Sequence, residues 1–188
     1  MSLPEVSFRV AEADDALCIG VLGMQVFLDT YATEGIRPAI AREVLEGLSP
    51  ERIEAIILAP NHAFIVAEIN DHLVGFAQVG LRTSHELVAR PEAAELQRLY
   101  VQERFTGRGL GTRLMREAEA FISSTQGAAT VWLTAWVGNE RARSFYPRRG
   151  YAEVGSTQFV FQGEAHENRL YAKSLDQNAA PASAKETT

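Results

Sequence analysis

Between Arg104 and Phe121 the chain reads RFTGRGLGTRLMREAEAF, with Gly107, Gly109 and Gly111 at alternate positions directly ahead of a helix-forming run. Glycines leave backbone N–H groups uncovered, and the first amides of a helix have no intrahelical acceptor and carry a partial positive charge. Together they suit a phosphate or pyrophosphate. A tight turn needing unusual backbone angles would use the same glycines, so the loop alone leaves both uses open. Two nucleotide loops fit it poorly. Gly111 is followed by Thr112 and Arg113 where GxxxxGK[ST] requires a lysine, and the third glycine comes one place early for GxGxxG. A second stretch, WVGNERARSFYPRRGY, offers an amide at Asn139 and a phenol at Tyr146. Asn139 is also an ordinary helix cap for the residues that follow it, and the two uses are compatible.

The elements that must position these residues can be read from periodicity. FRV starts a short strand, and Asp14 or Asp15 is placed to cap a helix carrying Leu17, Val21, Met24 and Phe27 on one face and ending near Thr30. IRPAIAREVLEGL and SPERIEAIILA predict two short helices, with Ser49 as cap of the second. HAFIVAEINDHLVGFAQVGLRT reads as a hairpin turning at Asn70 and Asp71. AELQRLYV is a strand running into the glycine loop, Leu110 to Gln126 a helix, and TVWLTAW a buried strand. NERARSFYPRR is a helix stopping at Gly150, and YAEVGSTQFVF and NRLYAKSL supply two closing strands. Residues 1–175 are expected to form one domain, since 188 residues at 46% apolar content make one well-buried core and hardly two. Residues 176–188, small and polar, are expected to be a disordered tail.

Composition excludes several classes of function. The single cysteine, Cys18, cannot form an internal disulfide and sits in an apolar run. The net charge of −6 with scattered basic residues does not resemble a nucleic-acid binder. No apolar stretch approaches the roughly 20 residues of a membrane span, and no signal segment is evident, so a cytoplasmic location is expected. No metal-ligand spacing appears, and His62, His72 and His166 have no motif around them.

From about Ala94 to Tyr151 the chain resembles the GNAT superfamily of acyl-CoA-dependent N-acetyltransferases. That family's loop, Gln/Arg-x-x-Gly-x-Gly/Ala, aligns with Thr106 to Gly111, Thr106 standing where Gln or Arg is usual. Its second pattern, Asn-x-x-Ala-x-x-Phe-Tyr with a following Gly-aromatic pair, is met by Asn139, Ala142, Phe145, Tyr146, Gly150 and Tyr151. The resemblance implies an α/β (α+β) fold, a mixed and mostly antiparallel sheet of about six or seven strands flanked by about four or five helices. The strand ending at Val101 and the strand TVWLTAW should run parallel and splay apart below the loop. It implies acetyl-CoA as co-substrate, without a metal. The pantetheine amides would pair with the backbone of Leu99, Tyr100 and Val101 as an added strand does. Asn139 and Tyr146 would flank that arm, and the pyrophosphate would rest on Thr106, Gly107, Arg108, Gly109, Leu110, Gly111 and Thr112. Arg104 or Arg108 could supply the charge absent at Thr106.

The implied reaction is attack of a neutral amine on the acetyl thioester through a tetrahedral intermediate that expels CoA thiolate. An alkylamine of pKa near 10.4 is neutral about one time in two thousand at pH 7, so a base must take its proton. A thiolate of pKa near 8.5 leaves with less help, and Tyr146 is the acid by motif position. The backbone N–H of Leu99 or Tyr100 would steady the oxyanion. Alternation predicts Glu95, Gln97, Leu99 and Val101 on one face of their strand. Gln97 stands where related polyamine acetyltransferases often carry glutamate, and it cannot accept a proton at neutral pH. Glu95, acting through a water, is therefore the candidate base, against the reading of a solvated strand-end carboxylate, and His85 is a rival. The segments FLDTYATEGI, LQRLYV and FVFQGEAHENRLYAKSL are similar to bacterial spermidine/spermine N-acetyltransferases. Tyr31, Glu34 and Gln97 are then placed at the acceptor, as is His85, whose loop RTSHELVARPEAA should border the acceptor cleft, and Asp29, Glu34 and Glu95 are candidate attractors of a polycation, against the reading of solvated carboxylates on helix ends and loops. The partner is then a small-molecule amine such as spermidine, with no nucleic acid and no membrane, and a homodimer through an exposed sheet edge is expected. The competing readings are another small amine, an amino-acid derivative, a protein amine, or a non-catalytic acyl-CoA-binding module.

Overall fold

The structure is a computed structural model that describes residues 5–88, 90–127, 130–161 and 164–175. Among these, seven strands form, β1 (Ser7–Val10), β2 (His62–Ile69), β3 (His72–Gly80), β4 (Ala94–Val101), β5 (Thr130–Trp136), β6 (Ala152–Phe161) and β7 (Glu164–Ser174). The helices are α1 (Ala16–Tyr31), α2 (Pro38–Gly47), α3 (Pro50–Ile57), α4 (Leu110–Gln126) and α5 (Glu140–Phe145). All seven strands join one sheet in the order β1-β2-β3-β4-β5-β7-β6. Every neighbouring pair is antiparallel except β4 and β5, which run parallel. The mixed α/β architecture expected from the sequence is the one observed. The tail expected at 176–188 lies outside the described residues.

Local chemistry explains most boundaries. Asn70 and Asp71 both take positive φ, 49° and 61°, which is the backbone a two-residue hairpin demands and which their short polar side chains tolerate. Ser49 Oγ accepts from Arg52 N at 3.2 Å and caps α3, while Pro38 and Pro50 open α2 and α3 where a missing N–H does no harm. The helix expected to run unbroken to Gly150 ends at Phe145, and Pro147–Arg149 forms a separate 3-10 turn. Proline in a helix interior lacks a donor and obstructs the preceding turn.

Two expectations for α1 are corrected. Asp15 stands at the cap position just before Ala16 but makes no side-chain cap, because its carboxylate accepts from Glu12 N at 2.8 Å and pairs with Arg9 at 2.7 Å. The face of Leu17 and Val21 is also not the buried one: they are 60% and 58% exposed, whereas Ala16, Ile19, Gly20 and Gly23 are buried. The two glycines decide this, since they let α1 lie against Leu48. A Cβ on Gly20 would stand 2.7 Å from the Leu48 carbonyl oxygen, and one on Gly23 would stand 3.0 Å from Leu48 Cδ2. Hydrophobicity alone favoured the wider stripe, but close approach selected the narrower one.

The sheet has a core on each face. On one, α4 sends Leu110, Leu114, Met115, Ala118 and Ile122 against Val79, Leu96, Val131 and Leu133. On the other, Ile19, Leu22, Leu48 and Ile53 of the N-terminal helices meet Phe64, Val66 and Phe76.

Candidate active site

β4 and β5 pair only at their beginnings, Ala94 with Val131 and Glu95 with Trp132. Beyond that the strands part. The opening is a cleft of about 830 Å³, with Leu99, Tyr100 and Val101 on one wall, Gly138, Asn139, Phe145 and Tyr146 on the other, and the glycine loop at one end. Asp29, Thr30 and Tyr31, closing α1, border it from the N-terminal side. The edge of β4 thus turns bare backbone toward the cleft over the very residues whose side chains fill the two cores.

At the loop, Gly107 and Gly109 take φ of 73° and 82°, a region that L side chains rarely adopt, and a Cβ built on either would meet nothing within 4 Å. Gly109 opens α4 without a side-chain cap. The amides of Thr112 and Arg113 turn back to the Gly109 carbonyl, and among the described residues those of Leu110 and Gly111 have no acceptor. The loop is therefore an open cradle of donors at a positive helix end, which fits a pyrophosphate. Thr106, Gly107, Gly109, Gly111 and Thr112 line the cleft, whereas Arg104 and Arg108 do not. Thr106 Oγ1 donates to the Glu103 carbonyl at 2.8 Å, and Glu103 pairs with Arg141 at 2.6 Å, joining the β4 side of the cleft to α5. On the opposite wall Asn139 Oδ1 accepts from Ala142 N at 3.0 Å, capping α5 and leaving its NH₂ for other partners.

Tyr146 follows α5 directly and lies in an aromatic nest, edge-on to Phe145 at 5.2 Å and to Tyr151 at 5.7 Å. Burial first, then the neighbouring Tyr31 and Tyr100, raises its pKa above the ordinary phenol value, so it stays protonated at neutral pH. Tyr31 is raised for the same leading reason. Its ring stands 4.7 Å from Phe27 and 5.9 Å from Trp136, giving the cleft an aromatic rim on the α1 side.

The face of β4 differs from strict alternation. Gln78 pairs with Arg98 but Val79 pairs with Leu96, so Gln97 is an extra residue, a β-bulge. Leu96, Leu99 and Val101 therefore share the α4 face, while Tyr100 joins the core on the α1 face. Gln97 and Arg98 turn side chains the same way, toward Gln78. The expectation that Leu99 and Val101 share a face with Glu95 is corrected by that bulge.

The bulge builds a chain of polar contacts. Arg98 Nη1 donates to Gln78 Oε1, Gln78 Nε2 donates to Gln97 Oε1 at 2.7 Å, and Gln97 Nε2 donates to Glu95 Oε2 at 3.2 Å. A guanidinium can only donate, so it fixes the orientation of both amides and ends the series on the carboxylate. Burial raises the Glu95 pKa above the usual carboxylate value, against the Gln97 hydrogen bond and the His85, Arg98 and His62 charges, which lower it. Glu95 and Gln97 lie at the closed end of the strand pair, outside the cleft lining, and the His85 ring sits tilted there, 5.0 Å from that of Trp132. Glu34 is exposed and also outside the lining.

The sequence pattern of the Acetyltransferase (GNAT) family matches residues 10–151. The chain belongs to the GNAT acetyltransferase family. Among GNAT relatives, the uncharacterized N-acetyltransferase in the pepI 3′ region of Lactobacillus delbrueckii subsp. lactis is 23% identical over 167 residues, 89% of this chain and 95% of the relative. The spermine/spermidine N(1)-acetyltransferase of Bacillus subtilis is 26% identical over 87 residues, 46% of this chain and 57% of that protein. Among solved GNAT structures, the PaiA N-acetyltransferase of Thermoplasma acidophilum in complex with coenzyme A superposes with a TM-score of 0.71 at 21% identity, covering 90% of this chain and 99% of the other. Sequence reasoning missed Gln78, Arg98 and Trp136. Their only signals were a glutamine in an otherwise apolar strand, a charge next to a buried leucine, and an aromatic at a strand end.

Proposed function

We propose that the protein is an acetyl-CoA-dependent N-acetyltransferase that acylates a primary amine of a small molecule. The observation that carries this reading is the parting of β4 from β5 above a glycine loop with free amides at the start of α4. The pantetheine amides add to the open edge at Leu99, Tyr100 and Val101, with the NH₂ of Asn139 opposite. The pyrophosphate takes the amides from Gly107 to Gly111, including Arg108 and Leu110, with Thr106 and Thr112 beside it and the exposed Arg104 and Arg108 adding diffuse charge.

Tyr146 acts on the departing sulfur. Its raised pKa lies well above the roughly 8.5 of a thiol, so it stabilises the thiolate mainly by donating a hydrogen bond rather than by surrendering its proton early. Glu95 is the base, reaching the amine through water, and its raised pKa makes it a better proton acceptor than an ordinary carboxylate. Tyr31, Glu34, His85 and Gln97 are assigned to the acceptor side.

For the acceptor we favour a linear polyamine such as spermidine. The partial similarity to the Bacillus subtilis enzyme and the presence of Asp29 on the cleft support this. Residues 1–175 are read as one domain in a cytoplasmic protein. The edge strand β6, with Val154, Phe159 and Val160 exposed, supports a homodimer.

The test is thiol release from acetyl-CoA across a panel of amines. Spermidine should give the highest kcat/KM, rising from pH 7 toward 9 as the free amine accumulates, with KM increasing with salt. An amino acid amide or amino acid outperforming it without salt dependence would replace the polyamine reading and keep acetyl transfer. CoA binding with no turnover on any amine would leave a non-catalytic acyl-CoA-binding module.

A further inference from the structure

A second cavity, of about 290 Å³, opens beside the cleft and shares Thr112, Arg148 and Arg149 with its lining, completed by Met115, Arg116 and Lys173. Four cations meet there. Lys173 is matched, its Nζ lying 2.8 Å from Glu119 Oε2. The arginines are not. Arg149 is held by neutral groups: Nε and Nη2 donate to Thr112 Oγ1 at 2.9 and 2.7 Å, Nη1 donates to the Phe145 carbonyl at 2.7 Å, and the guanidinium lies 3.5 Å from the Phe145 ring centroid. Among the described residues no carboxylate pairs with Arg116, Arg148 or Arg149. Burial, and then the charges of Arg148 and Arg116, lower the Arg149 pKa from its usual value. Like charges gathered around a fixed guanidinium repel one another, and an anion placed among them removes that cost.

The cavity adjoins the first turn of α4 through Thr112, whose neighbours Leu110 and Gly111 hold the unpartnered amides. A diphosphate on those amides is served by backbone dipoles. A phosphate monoester carries about −1.5 to −2 charge at pH 7 and calls for several cations at once. We propose that this basic cavity holds the 3′-phosphate of coenzyme A and makes the protein distinguish CoA from 3′-dephospho-CoA. The proposal rests on the acetyl-CoA reading above and adds a recognition element, on the turn after Tyr146, that neither glycine loop nor splayed strands provide.

Calorimetric titration of the full chain with CoA and with 3′-dephospho-CoA tests it, repeated on the double variant Arg116→Ala/Arg148→Ala. The wild-type protein should bind the dephospho ligand about tenfold more weakly, as the loss of charge-assisted contacts predicts, and the variant should bring the two dissociation constants together. Equal affinities in the wild type, or an undiminished preference in a variant that still melts cooperatively, would overturn the proposal. So would inorganic phosphate whose thermal shift adds to that of CoA, since the cavity would then take a separate anion. Binding of neither nucleotide would remove the acetyl-CoA reading itself, and the proposal with it.

Discussion

The residues nearest the chemistry are each set by their surroundings. Tyr146 keeps its proton because burial disfavours the phenolate, so its substitution removes a donor and little else. Tyr146→Phe should lower kcat by roughly 10² with CoA affinity within a few fold, since the hydrogen bond to sulfur matters only as the bond breaks. Stopped-flow thiol release and equilibrium binding separate the two quantities. For Glu95 the sign is equally direct. A base must be ionised, so kcat/KM falls as pH drops through the Glu95 pKa, which burial has raised above the ordinary carboxylate range. Gln97 donates to the charged form and holds the value down. Gln97→Met should therefore move the acid limb of the pH profile upward, and it should cost about 1–3 kcal/mol of stability because Gln78 loses its acceptor inside the sheet. A limb that stays in place would take Glu95 out of the proton path.

At the level of elements, most of the fold was legible in the letters. The hairpin at Asn70 and Asp71, the proline-opened helices and the strand-loop-helix unit around Gly109 all follow from backbone rules that need no distant partner. The face of α1 did not follow. Of the apolar stripe Leu17, Val21, Met24 and Phe27, the last two pack against the core but the first two face outward, because what fixes the start of that helix is how closely Gly20 and Gly23 approach Leu48, and contact distance leaves no mark in hydropathy. Gly20→Ala tests this. Its methyl would meet the Leu48 carbonyl and should destabilise the protein by about 1–3 kcal/mol despite alanine's better helix propensity, whereas Leu17→Ala should be nearly neutral. Thermal melts of both variants compare the two faces. The sharing of faces on β4 was hidden for a related reason: a bulge depends on the partner strand, and β3 is what reveals that Gln97 has no opposite number.

For the whole molecule, the sheet is held together from both sides while its middle is left open, so ligand should bridge what the fold does not. Acetyl-CoA at 100 times its dissociation constant should add roughly 2.7 kcal/mol to stability. Gly109→Val, forced into a φ of 82° that branched side chains avoid, should abolish that shift in differential scanning calorimetry. An unchanged shift would reduce the loop to a turn. Arg116, Arg148 and Arg149 were invisible as a group in the sequence because they come from α4 and a 3-10 turn that only the folded chain brings together. The bulge on β4 carries a last consequence. Remove Gln97, and Ala94, Leu96, Leu99 and Val101 would alternate perfectly with Glu95, Arg98 and Tyr100, each on the face it already occupies, with Arg98 set two places from Glu95 to pair with it directly. The apolar pattern thus describes a strand one residue shorter than the one present. A bulge bends the strand that carries it, so a chain shortened by that one position should pair β4 with β5 further along and lose its ligand, while giving up the hydrogen bond that Gln97 accepts from Gln78.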